Sequence, residues 1–224
     1  MENAKENQPE PEFMAQQLRK PSGEHAGDVG QKMNKVNGPL YDLTFDVMQP
    51  RDNEAILEVG FGTGKFFDNL FARAKRLNVS GIDYSEKMVE MARQDNQPSI
   101  NSGKLDLKLG NSSELPYASE SFDKVFCNMV IYFWDHPESH LKEIHRVLKP
   151  GGKFFTGMRT RESMLVFPFV EYGFNLYSIS EWEEILTRHV FSVINTQTQL
   201  DPELEMGENK IQLKSCCIEV QKVG

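Results

Sequence analysis

Cysteine is scarce, with three residues in a chain of 224. Two of them, Cys216 and Cys217, are neighbours, a spacing that seldom closes a disulfide, and Cys127 falls in an apolar run that reads as a core strand. A disulfide framework is excluded, and free thiols in a reducing cytoplasm are expected. No apolar stretch is long enough to cross a bilayer, and no charged-then-apolar leader opens the chain, so no membrane span is expected. Positive charge is the minority sign: 25 Lys and Arg against 33 Asp and Glu give a net charge of -8, with no basic run. That balance argues against a general nucleic-acid binder, which needs clustered cations for phosphate. Internal repeats and a second core are also missing.

What is present fits one large α/β domain with appendages. Hydrophobic residues make up 39% of the chain and include 15 Phe, enough for a sizeable core at this length. Residues 1–30 read as a flexible N-terminal arm. Its first dozen residues are polar, residues 13–20 allow a short helix, and Pro21, Gly23, Gly27 and Gly30 make the rest loop-like. Residues 31–224 read as a single domain. Within it, residues 31–50 have helical apolar spacing and form a cap in two pieces, broken at Gly38-Pro39. The same pattern also suits a helix that merely covers a sheet edge.

From Ala55 strands and helices alternate. Strands are expected at 55–59, 79–84, 105–109, 122–130 and 153–157. Helices are expected from the glycine loop to about Arg76, at 86–94 behind an N-capping Ser85, and at 137–148. The run Lys149-Pro150-Gly151-Gly152 stops the last of these helices. Such alternation predicts a Rossmann-like doubly wound sheet, mostly parallel, with right-handed crossovers. An aromatic insertion follows at 161–178. A helix at 181–189 capped by Ser180 precedes strands at 191–198 and 211–220, which close the sheet as an antiparallel pair.

The stretch with the most chemical content is Ile56-Leu57-Glu58-Val59-Gly60-Phe61-Gly62-Thr63-Gly64, a buried strand opening into alternate glycines ahead of a helix. Two ligand classes use such a turn. A dinucleotide places its pyrophosphate on the helix N-terminus and needs G-x-G-x-x-G. Here the third glycine comes one residue early, Lys65 stands where that pattern wants glycine, and Glu58 adds negative charge beside a phosphate. Both features suit a ligand without phosphate and with a positive centre, such as S-adenosylmethionine. Asp83 ends the next strand near the offset at which such folds bind ribose hydroxyls. Its plainer assignment is an N-terminal charge for the helix that follows.

Five motifs in order carry a resemblance. Glu58 to Gly64, then Gly81-Ile82-Asp83-Tyr84-Ser85, then Asn111 to Tyr117, then Ser121 to Val125, then Glu143 to Lys153 resemble class I S-adenosylmethionine-dependent methyltransferases. The likeness is greatest to the small-molecule branch that includes ubiquinone and menaquinone biosynthesis enzymes, and it spans about residues 55–157. It implies that Glu58, Gly60, Phe61, Gly62 and Gly64 surround the methionine part of the cofactor. It also implies that Asp83 holds the ribose, that Tyr84 lies along the adenine, that Asn111 and Ser112 meet the adenine edge, and that Cys127 and Asn128 border the methyl-transfer cavity. Asn111 departs from the family's usual Asp, exchanging a charged acceptor for a neutral one. Phe61 is bulkier than the usual residue.

The implied partner is a small-molecule methyl acceptor, with a pocket formed by Tyr132, Trp134, Phe167 and Tyr172 and with the N-terminal cap and the 161–178 insertion as a lid. His136 is the candidate base, although a lone His at a helix start is ordinary. His136 and His140 have i,i+4 spacing but lack a third ligand, so no metal is expected. Two other functions use the same features: a NAD-dependent oxidoreductase, and a non-catalytic S-adenosylmethionine-binding protein.

Overall fold

The computed structural model describes residues 10–206 and 209–224. Its centre is a seven-stranded sheet in the order β3-β2-β1-β4-β5-β9-β6. The strands are β1 (Ala55–Val59), β2 (Asn78–Asp83), β3 (Leu105–Leu109), β4 (Phe122–Asn128), β5 (Leu148–Arg159), β6 (Phe191–Leu200) and β9 (Lys214–Lys222). β1 to β5 pair in parallel, and β9 runs antiparallel to both its neighbours. The expected Rossmann-like sheet with one reversed C-terminal strand is therefore the observed one. A separate hairpin, β7 (Leu204–Met206) with β8 (Asn209–Ile211), occupies the loop expected after β6.

Each face of the sheet carries its own core. On one face α2 (Ala26–Met48), α3 (Phe67–Phe71) and α4 (Glu86–Asp95) pack through Leu40, Phe45, Phe67 and Val89 against Phe126, Phe155 and Cys217. On the other, α6 (Pro137–Val147) and α8 (Ile179–Arg188) pack through Leu141, Ile144, Trp182 and Leu186 against Val125, Phe154 and Cys216. Cys216 and Cys217 thus face opposite cores, as successive strand residues must. All three cysteines are free and buried.

The helix boundaries differ from the sequence expectation in instructive ways. The N-terminal segment holds α1 (Pro11–Arg19) and then α2, which begins at Ala26, not near Met33, and passes through Gly38-Pro39 unbroken. Pro39 withdraws only the hydrogen bond to the Lys35 carbonyl, on an exposed residue that water reaches. Burial of Leu40, Leu43, Thr44 and Phe45 on the sheet outweighs that loss. The helix after the glycine loop is one short turn ending at Phe71, because the chain bends back to β1 through Lys75 N–H to Asp52 Oδ1 at 2.8 Å. Pro98 opens an additional short helix, α5 (Gln97–Asn101). α8 is capped by Ser178, not Ser180, in a reciprocal capping box with Glu181.

β4 stops at Asn128, two residues early, because Met129 turns into the left-handed region at φ 62°. Met129 N–H still reaches Gly157 O at 2.9 Å, so the turn is anchored to β5. The insertion holds α7 (Arg161–Met164) and a 3-10 turn at Pro168–Glu171.

Candidate functional site

The order β3-β2-β1-β4-β5 reverses direction between β1 and β4, so the crevice lies at the C-terminal ends of those strands. There the glycine loop leaves β1. Gly60, Gly62 and Gly64 have φ of 75°, 55° and 70°, which side chains seldom tolerate. A Cβ on Gly60 would lie 2.4 Å from the Val130 side chain, whereas one on Gly62 would meet open space. Gly60 is therefore held by close packing, and the Gly62 backbone faces the cleft.

Asp83 organises the loop. Its Oδ2 accepts from Gly62 N–H at 2.9 Å and its Oδ1 from Ser85 N–H at 2.9 Å. Each oxygen keeps a further lone pair for a ligand. Burial lifts this carboxyl to about 6, against the pull of those backbone donors. Glu58 lies deeper, 2% exposed, with Oε1 accepting from Tyr41 O–H at 2.7 Å. Burial, with Asp83 nearby, raises it to about 8, while the Tyr41 hydrogen bond opposes that rise.

The cleft at this end of the sheet encloses about 330 Å³. Of the residues singled out from sequence, Gly60, Gly62, Asp83, Tyr84, Asn111, Ser112, Asn128, Trp134 and His136 line it. Several others do not. Glu58 sits behind the loop. Phe61 is buried, its ring against the Cα of Gly81, and so points into the core. Gly64 packs on Ala92 and Asn96 of the α4 segment, and Cys127 is wholly inside the sheet.

At the far end of the cleft Ser112 Oγ lies 2.7 Å from His140 Nδ1, and the His140 ring stacks on Trp134 at 4.6 Å. Burial lowers His140 to about 4, so its imidazole is neutral near pH 7. His136 also lines the cleft but is 81% exposed, with Nδ1 3.6 Å from Glu138 Oε1. Asn111 Oδ1 accepts from Ser113 N–H at 3.1 Å, a local turn that occupies one of its lone pairs.

A second cavity of about 520 Å³ opens alongside, between α1, α2, the end of β5 and the insertion. Met14, Val36, Tyr132, Met164, Phe167 and Phe169 belong to its wall. Leu18, Met33, Met129 and Phe133 line both spaces. Of the four residues expected to share one pocket, Tyr132 and Phe167 line this cavity, Trp134 belongs to the first cleft, and Tyr172 is 45% exposed and lines neither.

The residues that the sequence reading missed are those that close the site. Arg19, at the end of α1, donates to Phe133 O at 3.0 Å and pairs with Asp135, while Tyr84 O–H donates to Arg19 O at 2.6 Å. Ser85 O–H donates to Pro21 O. The segment after α1 is therefore stitched across the cleft by side chains from α1, β4's following loop and β2's following loop. Tyr41 had a signal, since it lies on the buried stripe of α2 with Leu40 and Thr44. Arg19 had none, because its partners are more than 60 residues away in sequence.

The residues fit S-adenosylmethionine on structural grounds. Asn128 Nδ2 is buried and has no hydrogen-bond partner among the described residues, while its Oδ1 accepts from Thr44 O–H at 2.8 Å. That leaves a donor at the loop end of the cleft for a carboxylate. Asp83 suits hydroxyls, and the guanidinium that lines the cleft, Arg19, is already paired with Asp135 and not free for a pyrophosphate.

Fold and cleft together define a class I methyltransferase architecture, and comparison with known proteins agrees. Residues 57–156 match the family model described as a methyltransferase domain. An uncharacterized methyltransferase, YdaC of Bacillus subtilis, is 31% identical over 135 residues, 60% of this chain and 72% of that protein. The ubiquinone/menaquinone biosynthesis C-methyltransferase UbiE of Cereibacter sphaeroides is 28% identical over 176 residues, 71% of this chain and 69% of that one. Among solved structures, a SAM-dependent methyltransferase of Thermotoga maritima superposes with a TM-score of 0.66 at 22% identity, covering 95% of this chain and all of its own. The chain belongs to the S-adenosylmethionine-dependent methyltransferases. The oxidoreductase reading is set aside by the same findings.

Proposed function

We propose that the protein methylates a small, largely apolar molecule bound in the 520 Å³ cavity, by in-line transfer from a cofactor held in the 330 Å³ cleft. The observation that carries this reading is the shared wall of Leu18, Met33, Met129 and Phe133. A donor in one space and an acceptor in the other would meet there. Bound S-adenosylmethionine supplies an activated methyl group on a sulfonium.

The chain's own work is placement and dehydration, which supply much of the acceleration in such a displacement. Asp83 holds the ribose and Ser112 with Asn111 the adenine edge. Asn128 and the loop backbone hold the methionine end, with Glu58 beneath it. Tyr84 lies along the adenine and carries Arg19's carbonyl on its hydroxyl, so the cover of the cleft is fastened to the residue that meets the base. Met129, in its left-handed turn, presents one side chain to both spaces, and strain of this kind gathers at functional positions.

The acceptor brings its own nucleophilicity. The titratable groups on the described cavity wall are Glu10, Lys32, Tyr132 and Arg159, of which the first two are exposed. Tyr132 O–H donates to Arg159 O at 2.8 Å and accepts from Arg159 N–H at 2.7 Å, and burial pushes its phenol further up. His136 stands at the rim of the other space. With Glu10 and Lys32 exposed and Tyr132 tied to Arg159, the described wall offers no buried base, which suits an attacking atom that needs no deprotonation in the transition state.

The described part of the arm, residues 10–30, the cap of residues 31–50 and the insertion of residues 161–178 act as a cover that tightens when ligand is bound; the first nine residues of the arm lie outside the described residues. Limited proteolysis tests this: S-adenosylhomocysteine protects sites before Ala26, and equal cleavage with and without it contradicts closure. The reading as a whole is tested by methyl-labelled S-adenosylmethionine and a panel of apolar nucleophiles. Transfer to at least one is expected, and cofactor binding with no transfer to any, but transfer to a protein or nucleic acid, contradicts it.

A further inference from the structure

The apolar cavity contains one feature that its greasy wall does not require. Arg159, the last residue of β5, is 2% exposed and lies in that wall. Its five N–H groups are accounted for as follows. Nε donates to Asp201 Oδ2 at 3.3 Å, and Nη2 donates to the same oxygen at 3.0 Å and to Val36 O at 2.8 Å. Nη1 donates to Asn37 Oδ1 at 2.9 Å, and its remaining contact is Met129 Sδ at 3.8 Å. A thioether is a weak acceptor, so one guanidinium N–H of this buried side chain lacks an oxygen partner among the described residues. A buried charged donor left in that state is costly unless something completes it.

The surroundings say what completes it. Asn37 also lines the cavity; its oxygen is spent on Arg159, which leaves its amide N–H groups as donors. Met129 belongs to the wall shared with the cofactor cleft, so the unfilled donor lies beside the junction of the two spaces. Asp201 already balances the charge of Arg159, and Ser215 O–H supports Asp201 at 2.8 Å. The other cation of the wall, Lys32, is exposed, so an anion beside Arg159 would have no buried counter-charge. The pocket is therefore built for a neutral oxygen on an apolar body.

We infer that the acceptor is an apolar molecule carrying an uncharged hydrogen-bond-accepting oxygen, and that Arg159 with Asn37 binds that oxygen and sets the molecule's orientation toward the cofactor. This rests on the cavity being the acceptor site. It makes Arg159 a specificity residue: compounds of equal shape without the oxygen leave its N–H unpaired and are rejected, as sites built to hydrogen-bond a substrate reject analogues that lack the group.

The test uses two isosteric probes, 2-acetylnaphthalene and 2-ethylnaphthalene, titrated by fluorescence into the full chain saturated with S-adenosylhomocysteine. The ratio of their affinities is compared between the wild type and the charge-balanced double variant Arg159→Met, Asp201→Asn. The ketone's relative advantage is expected to fall about tenfold in the variant, the size of one hydrogen bond to a charged group. An unchanged ratio overturns the inference while leaving the cavity as the acceptor site. Failure of both probes to bind the wild type overturns the acceptor reading itself. A measurement independent of the variant's folding is the infrared carbonyl stretch of 2-acetylnaphthalene bound to the wild type. A downshift from its frequency in hydrocarbon is expected, and a hydrocarbon-like frequency overturns the assignment.

Discussion

The two spaces at the C-terminal edge of the sheet are built in opposite ways. The first cleft takes its main lining from residues at strand ends: Gly60 and Gly62 after β1, Asp83 at the end of β2 and Tyr84 after it, Asn111 and Ser112 after β3, and Asn128 at the end of β4. The neighbouring cavity is assembled from α1, α2, the end of β5 and the insertion, with side chains from Met14 to Phe174. The first carries polar groups placed by backbone geometry among apolar neighbours. The second is a set of packing residues with one buried charge.

Substitutions can separate the two. The largest effect is expected at Glu58, which belongs to neither wall but underlies the loop. Its carboxyl titrates near 8 in the folded protein against an unfolded value near 4.5. The folded state keeps the proton longer, so stability falls as pH rises from about 4.5 to about 8 and is flat above. Glu58→Gln should match the wild type below that window and exceed it by roughly 5 kcal/mol above it. Urea unfolding at several pH values measures this, and parallel curves for the two proteins would contradict the buried, uncompensated acid.

Asp83→Ala comes next and should act on the cleft alone. Losing two charge-assisted hydrogen bonds to ribose should weaken S-adenosylmethionine about 100-fold, while naphthalene probes bind as before. Calorimetric titration checks it, and unchanged cofactor affinity would show that the ribose lies elsewhere. The converse is Val36→Trp, which fills the acceptor cavity from α2. It should weaken the naphthalene probes about tenfold or more and leave S-adenosylhomocysteine affinity unaltered. Loss of both affinities would mean that the spaces are one site.

The smallest effect serves as a control away from both. Ser178→Ala removes the capping-box hydroxyl of α8 and should cost about 1 kcal/mol of stability, with no change in either affinity. Thermal unfolding with both titrations reads this, and a changed affinity would tie α8 to the site.

The same contrast decides what was legible in the sequence. The cleft was readable because its residues follow strand ends, where glycine at a left-handed position or an acid after an apolar run leaves a local mark. Gly60, Gly62 and Asp83 show this. Where the local mark was misleading, tertiary burial had overruled it. Pro39 sits inside α2 because the helix buries Leu40, Leu43 and Phe45 on the sheet. Phe61 and Cys127 were placed by adjacency in sequence, yet alternation along strand and loop turns them into the core. The cavity was only partly readable. Tyr132 and Phe167 lie in aromatic clusters, but Arg159 and Arg19 depend on partners far away in the chain, Asp201 and Asn37 for one, Asp135 and Tyr84 for the other. Their roles come from topology, which no local pattern carries.

The claim that joins these parts is that cofactor and acceptor meet at Met129. The most direct measurement is a crystal structure with S-adenosylhomocysteine. Its sulfur should lie at the opening lined by Met33, Met129 and Phe133, with the open valence directed into the apolar cavity. A sulfur turned toward bulk solvent, or walled off from the cavity by those side chains, would contradict the account.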